Sequence, residues 1–235
     1  LFAEASLCHN SGAESPDFLP PLSSKKDLKK SKTLAGEVPF KFKKHLKYRS
    51  FSIHPNGQVG ILVTEERGQI TLWKIDLTSG DKKRIGRHGH KIDRIQDDSF
   101  PAIAWHPNGQ ILTYSLEENG SNFLVNVDLS TLKSTKKELF QIDKVLSMVY
   151  APDGITMLWS AMKNGQSDLY RYQVLSNNQR ALWTDRYDDL DPIISKDGRT
   201  IWFASNRPNG DLGATHTLGQ PLSRSHDLFS LDWKD

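Results

Sequence analysis

Four segments of the chain repeat one frame, and this repeat restricts the fold more than any other feature of the sequence. Each segment is a short apolar run that ends in an Asn-Gly or Asp-Gly pair, and the four glycines are Gly57, Gly109, Gly154 and Gly198. They stand 52, 45 and 44 residues apart. Such pairs between apolar runs are typical of tight turns that join antiparallel strands. A period near 45 residues indicates that each repeat is one supersecondary unit.

Each turn is followed by a second apolar run, a polar loop and a third apolar run. The second runs cover residues 59–64, 111–116, 156–161 and 200–205. Superposing the third runs places four residues at one position: Trp73, Val125, Tyr170 and Phe229. A fourth, more polar run follows in three repeats, at residues 82–85, 136–140 and 179–183. Four short strands per unit, with no helical periodicity, predict an all-β fold: a β-propeller of four-stranded antiparallel blades.

The repeat divides the chain into an extended basic and polar leader, residues 1–37, and propeller blades over residues 38–235. The blades are predicted at about 48–97, 98–144, 145–188 and 189–235. Neighbouring blades must share a core, because one sheet cannot bury both of its faces alone. We expect four tryptophans in that core: Trp105, Trp159, Trp183 and Trp202.

The positive charge is confined to one segment. Residues 1–24 sum to −3, residues 25–49 to +8 and residues 50–235 to −2. The repeats themselves are therefore not basic, and no aromatic residues alternate with the lysines between Lys25 and Lys32, so the composition gives no support to a nucleic-acid-binding domain. A solvated linker is the favoured interpretation of the lysine run, and an arm for an anionic surface is the alternative.

The repeat resembles that of the TolB-like β-propeller family, a WD-like group. That family carries Ser-Pro-Asp-Gly between its first two strands, Ser-Asn-Arg after the second and Asp-Ile-Tyr at the start of the third. The fourth repeat matches best, with Asp191 to Arg207 following the pattern and Asp227-Leu228-Phe229 opening the third strand. The third repeat offers Ala151-Pro152-Asp153-Gly154 and Asp168-Leu169-Tyr170, whereas the first two carry His-Pro-Asn-Gly instead. The resemblance covers roughly residues 38–235 and implies a periplasmic or outer-envelope protein that binds other proteins.

The last repeat stops at Asp235, just after its third strand, so that one strand of the blade is missing. We expect either that the segment Thr33 to Phe40 pairs with this edge or that the parent protein or a partner supplies further blades, and we favour a larger ring. The Gly-, Thr- and Ser-rich insert between Asn209 and His226 is predicted to be a surface excursion.

The histidines and serines do not form a recognisable catalytic or metal-binding pattern. His54 and His106 occupy equivalent turn positions, where a side chain can bond a local backbone group. His88 and His90 could hold a soft metal ion with a third ligand, but an exposed polar loop is the favoured interpretation. No Gly-x-Ser-x-Gly elbow occurs. We therefore predict no catalytic residue, no metal and no cofactor.

A charged loop face is the predicted binding surface. We define it as the end of the blades where the loops between second and third strands meet the links to the next first strand. Its predicted residues are Glu65, Glu66, Arg67, His88, His90, Asp97, Asp98, Asp188, Asp189, Asp191, Asn206 and Arg207. Such a rim suits a protein partner or a cation, with a solvated surface as the alternative.

Cys8 is the single cysteine, so an internal disulfide is excluded. Cys8-His9 resembles a haem-attachment motif that lacks its first cysteine, and lipidation is a second weak alternative; a free or buried thiol is the default. No apolar run approaches the roughly 20 residues that span a bilayer, which leaves peripheral membrane association open.

Two functions from different classes follow from these features. The first is a non-enzymatic propeller module of a bacterial cell-envelope protein that mediates protein–protein interaction within a larger assembly, with no nucleic acid among its partners. The second is an accessory propeller portion of a larger envelope enzyme, such as a peptidase, a polysaccharide-active protein or a haem-containing complex.

Overall fold

The computed structural model describes residues 46–89, 101–208 and 225–233. Within these ranges the chain forms fifteen strands in four antiparallel sheets and no helix. The predicted all-β propeller of antiparallel blades is confirmed. No helix in the described ranges is long and apolar enough to cross a membrane. The leader with Cys8, the segment Thr33 to Phe40 and most of the insert after Asn209 lie outside the described residues.

Each sheet is one blade, with its strands in chain order across the sheet. Blade 1 consists of β1 (Lys47–Ile53), β2 (Val59–Glu66), β3 (Gln69–Asp76) and β4 (Lys82–His88). Blade 2 consists of β5 (Ile103–Trp105), β6 (Ile111–Glu118), β7 (Ser121–Asp128) and β8 (Ser134–Leu139). Blade 3 consists of β9 (Lys144–Tyr150), β10 (Thr156–Lys163), β11 (Gln166–Gln173) and β12 (Asn178–Ala181). Blade 4 has three described strands, β13 (Asp189–Ile194), β14 (Thr200–Ser205) and β15 (Asp227–Asp232).

Two-residue turns close the hairpins between the second and third strands of the first three blades. Their central pairs, Arg67-Gly68, Asn119-Gly120 and Asn164-Gly165, all have positive φ angles. This backbone matches the twist of the flanking strands, and Asn-Gly is the pair that adopts it most readily. The polar loops expected at these places are therefore tight turns, and Glu65 and Glu66 belong to β2 rather than to a loop.

The strand register confirms the equivalence inferred from the third runs. Each of the four residues pairs with the second-strand residue that stands five positions after the turn glycine: Trp73 with Leu62, Val125 with Tyr114, Tyr170 with Trp159 and Phe229 with Phe203. In blades 2 to 4 both members of the pair belong to the core shared with the preceding blade. Equivalent positions of the sequence repeat therefore occupy equivalent positions in the cores between blades.

The opposite side of each blade packs on the blade that follows. Leu72, Leu124 and Leu169 occupy one equivalent position there and are at most 1% exposed. The same position in blade 4 is Leu228, which is 72% exposed, and the neighbouring Trp202 is 42% exposed. Trp202 is therefore not buried among the described residues, because none of their sheets covers its side of blade 4, and its place in an inter-blade core stays a prediction.

The other three tryptophans behave as expected. Trp159 is fully buried in the core between blades 2 and 3, Trp105 packs between blades 1 and 2, and Trp183 packs between blades 3 and 4. Trp105 also donates a hydrogen bond from Nε1 to Oγ of Ser52 at 2.7 Å, which links blades 2 and 1. Trp105 thus combines burial of apolar area with a polar contact.

The turn histidines join consecutive blades. Nδ1 of His54 accepts a hydrogen bond from the amide of Asn56 at 3.0 Å, as expected for a local turn contact. Nε2 of the same ring lies 3.1 Å from the carbonyl oxygen of Gly109 in the next turn. His106 takes the equivalent place one blade later, where its ring lies against Gly154 and forms an edge contact with Tyr150, with 4.8 Å between the ring centroids. Each His-Pro-Asn-Gly turn therefore contacts its successor.

Candidate binding site at the loop face

The nine predicted residues that the structure describes lie at one end of the blades, because antiparallel order places the end of the second strand beside the link to the next blade. His90, Asp97 and Asp98 lie outside the described residues, so their role remains a prediction. The other nine are placed, and they divide into an exposed group and a buried group. Only the exposed group forms a rim of the kind that the sequence analysis anticipated.

At blade 1 the acidic and basic side chains neutralise each other. Arg49 Nε donates to Glu65 Oε2 at 2.6 Å, and the amide of Gly68 donates to Oε1 at 3.2 Å. Burial opposes ionisation of Glu65, but these contacts outweigh it and hold the pKa of Glu65 below its usual range. Glu66 is half-buried and Arg67 is exposed at the turn. Arg67 and Glu66 thus remain on the surface, whereas Glu65 is an internal ion-pair partner.

His88 belongs to the interface between blades 1 and 2. Its Nε2 lies 2.8 Å from the hydroxyl oxygen of Tyr114. Burial lowers the pKa of His88 and raises the pKa of Tyr114 to about 12. The phenol therefore stays protonated and can donate to the neutral imidazole. The metal-binding alternative for His88 with His90 remains a prediction, and one ring nitrogen of His88 already has a hydrogen-bond partner.

Asp189 and Arg207 are buried, which differs from the expected rim. Both are 0% exposed, and Nη2 of Arg207 lies 2.8 Å from each carboxylate oxygen of Asp189. Nε of Arg207 donates to Oγ of Ser205 at 2.9 Å, and Nε1 of Trp183 donates to Asp189 at 2.6 Å. Asp189 begins β13 and Arg207 follows β14, so pairing of these strands brings the two residues together. A bidentate pair with further hydrogen bonds can be buried, whereas an isolated charge cannot.

Four aromatic rings surround the guanidinium of Arg207. Its Cζ lies between 5.4 and 5.9 Å from the ring centroids of Trp183, Tyr187, Phe203 and Phe229. Arginine is suited to this environment because its planar, weakly hydrated cation stacks on aromatic faces while its edge binds carboxylates. The Ser-Asn-Arg segment therefore acts as an internal anchor of blade 4.

The remaining predicted residues support this anchor or lie outside it. The amide of Asp188 donates a hydrogen bond to Oδ1 of Asn206 at 2.9 Å. Oδ1 of Asp188 accepts a hydrogen bond from the amide of Ser167 at 3.1 Å. Asp191 is exposed and has a positive φ of 52° at a register shift in β13. Such bulges re-aim the side chains of a strand. Of the predicted set, the structure brings Asp188, Asp189, Asn206 and Arg207 into contact.

Two further carboxylates complete this buried site, and the sequence analysis did not select them. Asp168 at the start of β11 and Asp185 in the link after β12 offer oxygens that lie within 4.8 Å of one another and of an Asp189 oxygen. Nη1 of Arg207 lies 3.2 Å from Oδ2 of Asp185. We call Asp168, Asp185 and Asp189 the acidic cluster. The one sequence signal for this cluster is Asp168 in the Asp-Leu-Tyr motif, which by itself indicates only the third strand.

The acidic cluster carries more negative charge than its surroundings compensate. Burial, followed by the nearby charges of Asp189, Asp185 and Asp188, raises the pKa of Asp168 to about 7. Burial also raises the pKa of Asp189, although Ser205, Arg207 and Trp183 oppose that shift. Three carboxylates face one guanidinium, so the site as a whole favours an additional positive charge.

No protein-family model and no curated protein sequence matches the chain. Solved structures do resemble it. TolB from Acinetobacter baumannii is 20% identical with a TM-score of 0.56, and the match covers 70% of this chain and 39% of TolB. Hydrazine synthase of Kuenenia stuttgartiensis is 18% identical with a TM-score of 0.53, covering 79% and 46% of the respective chains. The β-propeller domain of the Trilobed protease from Pyrococcus furiosus is 12% identical with a TM-score of 0.53, covering 83% and 56%.

These likenesses establish a TolB-like β-propeller fold. The described chain corresponds to well under two thirds of each of these three proteins. The proteins of known structure include both TolB and enzymes, so the shared feature is the propeller and not one activity.

Proposed function

We propose that the chain is a non-enzymatic propeller module of a bacterial cell-envelope protein, and that it binds protein partners within a larger assembly. The observation that carries the proposal is that the outer faces of blades 1 and 4, the first and last of the four consecutive blades, are not covered by another described sheet. Residues at these faces hold core positions in the other blades, so the surface is built to meet another sheet or protein rather than water.

Both ends of the described arc have such a face. At blade 4 it carries Ile193, Trp202 and Leu228, which are 58%, 42% and 72% exposed. At blade 1 it carries Phe51 and Ile53, which are 48% and 53% exposed and correspond to the packed Ile103 and Trp105 of blade 2. Clustered apolar side chains of this size mark interaction surfaces, in contrast to single exposed apolar residues. A larger assembly, formed by the same polypeptide or by others, would cover them.

The exposed part of the loop face is the proposed contact for a separate partner protein. It presents the hairpin tips Arg67, Asn119 and Asn164 at one end of three successive blades. Their tight turns hold them on a rigid scaffold, which reduces the entropy lost on binding. A polar, rigid rim of this kind suits a reversible protein contact. An envelope location is proposed on the likeness to TolB.

Site-specific photo-crosslinking tests this contact. A photoreactive amino acid is placed at Asn119 or Asn164 on the loop face, and at Ser79 or Thr131 in turns at the opposite end of the blades as matched controls. In cells of the native organism, we expect defined protein adducts from the two loop-face positions and not from the controls. Adducts restricted to Ser79 and Thr131, or identical patterns from all four positions, would contradict the proposed binding face.

A second candidate function is an accessory propeller of a larger envelope enzyme. The likeness to hydrazine synthase and to the protease propeller favours it. The intact mass and peptide map of the protein from its native source distinguish the two. A catalytic domain joined to these blades would support the enzyme, and blades without such a domain would support the binding module.

A further inference from the structure

We propose that Asp168, Asp185 and Asp189 form a binding site for a hard divalent cation of the Ca²⁺ class at the junction of blades 3 and 4. The sequence analysis predicted no metal site, and its cation alternative concerned the exposed rim rather than this interior. The proposal rests on the geometry of three carboxylates with buried side chains and on a buried oxygen of Asp168 that accepts no hydrogen bond.

The first observation is the convergence of the ligands. One carboxylate oxygen from each residue lies within 4.8 Å of the others, and the residues come from three separate places: the start of β11, the link after β12 and the start of β13. Asp168 is 4% exposed, Asp189 is 0% exposed, and the Asp185 side chain is 3% exposed. Three like charges cannot approach this closely in a buried site without compensation.

The second observation is independent of the clustering. Oδ1 of Asp168 is buried and accepts no hydrogen bond in the described structure. Oδ2 of Asp185 also accepts none, but it lies 3.2 Å from Nη1 of Arg207 as an ion pair. Asp189 differs, because Arg207 and Trp183 satisfy its oxygens. Buried carboxylate oxygens are normally hydrogen-bonded or coordinate a metal. Oδ1 of Asp168 is therefore the buried oxygen of the acidic cluster that has no protein partner.

Charge balance selects the valence, and donor chemistry selects the class of ion. When all three carboxyl groups of the acidic cluster are ionised, they and the guanidinium of Arg207 sum to two negative charges, which one divalent cation neutralises. The donors are all oxygens, with no histidine or cysteine among them, and this set favours Ca²⁺ or Mg²⁺ over Zn²⁺ or Cu²⁺. Ca²⁺ fits better because it tolerates irregular geometry, whereas Mg²⁺ demands a near-ideal octahedron and retains water.

The cation would join two blades. Asp168 belongs to blade 3 and Asp189 to blade 4, with Asp185 in the link between them. Binding would stabilise this junction and the position of Arg207 behind the loop face.

Terbium luminescence provides a direct test with the full chain. Tb³⁺ is a luminescent substitute for Ca²⁺, and Trp183, whose Nε1 lies 2.6 Å from an Asp189 oxygen, would sensitise its emission. At pH 7.5 we expect saturable emission that Ca²⁺ displaces, and a melting temperature that rises with Ca²⁺ and less with Mg²⁺. The variants Asp168→Asn and Asp185→Asn should each weaken Ca²⁺ binding by about tenfold or more.

Asp227→Asn is the matched control. Asp227 holds in blade 4 the strand position that Asp168 holds in blade 3, but it is exposed. This variant should bind Ca²⁺ like the wild type. The proposal is overturned if millimolar Ca²⁺ neither displaces Tb³⁺ nor shifts the melting temperature of the wild-type chain, a measurement that needs no variant to fold. It is also overturned if Asp168→Asn binds Ca²⁺ as tightly as Asp227→Asn.

Discussion

Individual side chains link neighbouring blades at the turns. At the turn of blade 3, the ring of His106 from blade 2 packs closely against Gly154. A methyl group added at Gly154 would lie 2.8 Å from Cε1 of His106, and Gly154 has a φ of +71°. Alanine at this position would therefore encounter both backbone strain and a steric conflict with the preceding blade. The Asn-Gly and Asp-Gly pairs serve inter-blade packing as well as turn formation.

A double-mutant cycle between these two residues separates the effects. Gly154→Ala should lower the free energy of unfolding by about 2 kcal/mol in the wild type but only about 1 kcal/mol beside His106→Ala, because the smaller side chain removes the steric conflict and leaves the backbone strain. Urea unfolding measures each value. His226→Ala, at an exposed position, is the control and should have little effect. Equal costs of Gly154→Ala in both backgrounds would mean that the histidine contact is unimportant.

Asp168 makes the stability of the blade 3–4 junction depend on pH when a chelator removes divalent cations. Its pKa is about 7 in the folded protein, above the ordinary value of 3.8, because of burial and the charges of Asp189, Asp185 and Asp188, which Arg207 only partly offsets. The folded state therefore holds more protons than the unfolded state between about pH 4 and 7, and the free energy of unfolding falls as pH rises through this window.

Comparison with Asp168→Asn isolates this dependence. Between pH 5 and 8, the wild type should lose about 1–2 kcal/mol relative to the variant, after allowance for solvent screening. Chemical denaturation in EDTA measures the difference, and Asp227→Asn should retain the wild-type slope. Parallel pH profiles for the wild type and Asp168→Asn would show that the carboxyl does not titrate in this window.

The strands and their order could be predicted from the sequence because each repeat combines a turn pair with alternating apolar runs. The burial of Asp189 and Arg207 could not be predicted in the same way. Asp188-Asp189 and Asn206-Arg207 have the composition of surface loops, and only the pairing of β13 with β14 brings residues 18 positions apart into a bidentate contact. The turn pairs and apolar alternation of the sequence predict the strands and their order. They do not show which charged side chains become buried when the next strand or link packs against them.

Burial of charged residues in the links between blades could not be predicted from the sequence either. Asp185 follows β12 in a polar stretch with no periodicity, so nothing in its surroundings distinguishes it from an exposed loop residue. Its burial follows from the packing of Tyr187 and Trp183 around Arg207. The missed site therefore required knowledge of how two sheets and their connecting link pack together. The sequence did predict that the described loop-face residues share one end of the blades, and the strand order agrees.

The described blades form an arc whose two terminal faces repeat the chemistry of its internal interfaces. Leu228 stands where Leu72, Leu124 and Leu169 are buried, and Trp202 stands where Leu158 is buried. Each internal interface contributes hydrophobic stabilisation of roughly 25 cal/mol for every Å² of apolar surface removed from water. The terminal faces lack that contribution. This asymmetry is the physical basis for the proposal that a larger assembly covers these faces.

Hydroxyl-radical footprinting of the protein in its native assembly measures directly whether the apolar outer face of blade 4 is covered. The oxidation rates of Trp202 and Leu228 are compared with that of Leu175, which is 80% exposed in a turn of blade 3 and belongs to no inter-blade face. We predict strong protection of Trp202 and Leu228 in the native assembly, while Leu175 is oxidised at the rate of an exposed leucine. Unprotected Trp202 and Leu228 in the native assembly would contradict the account.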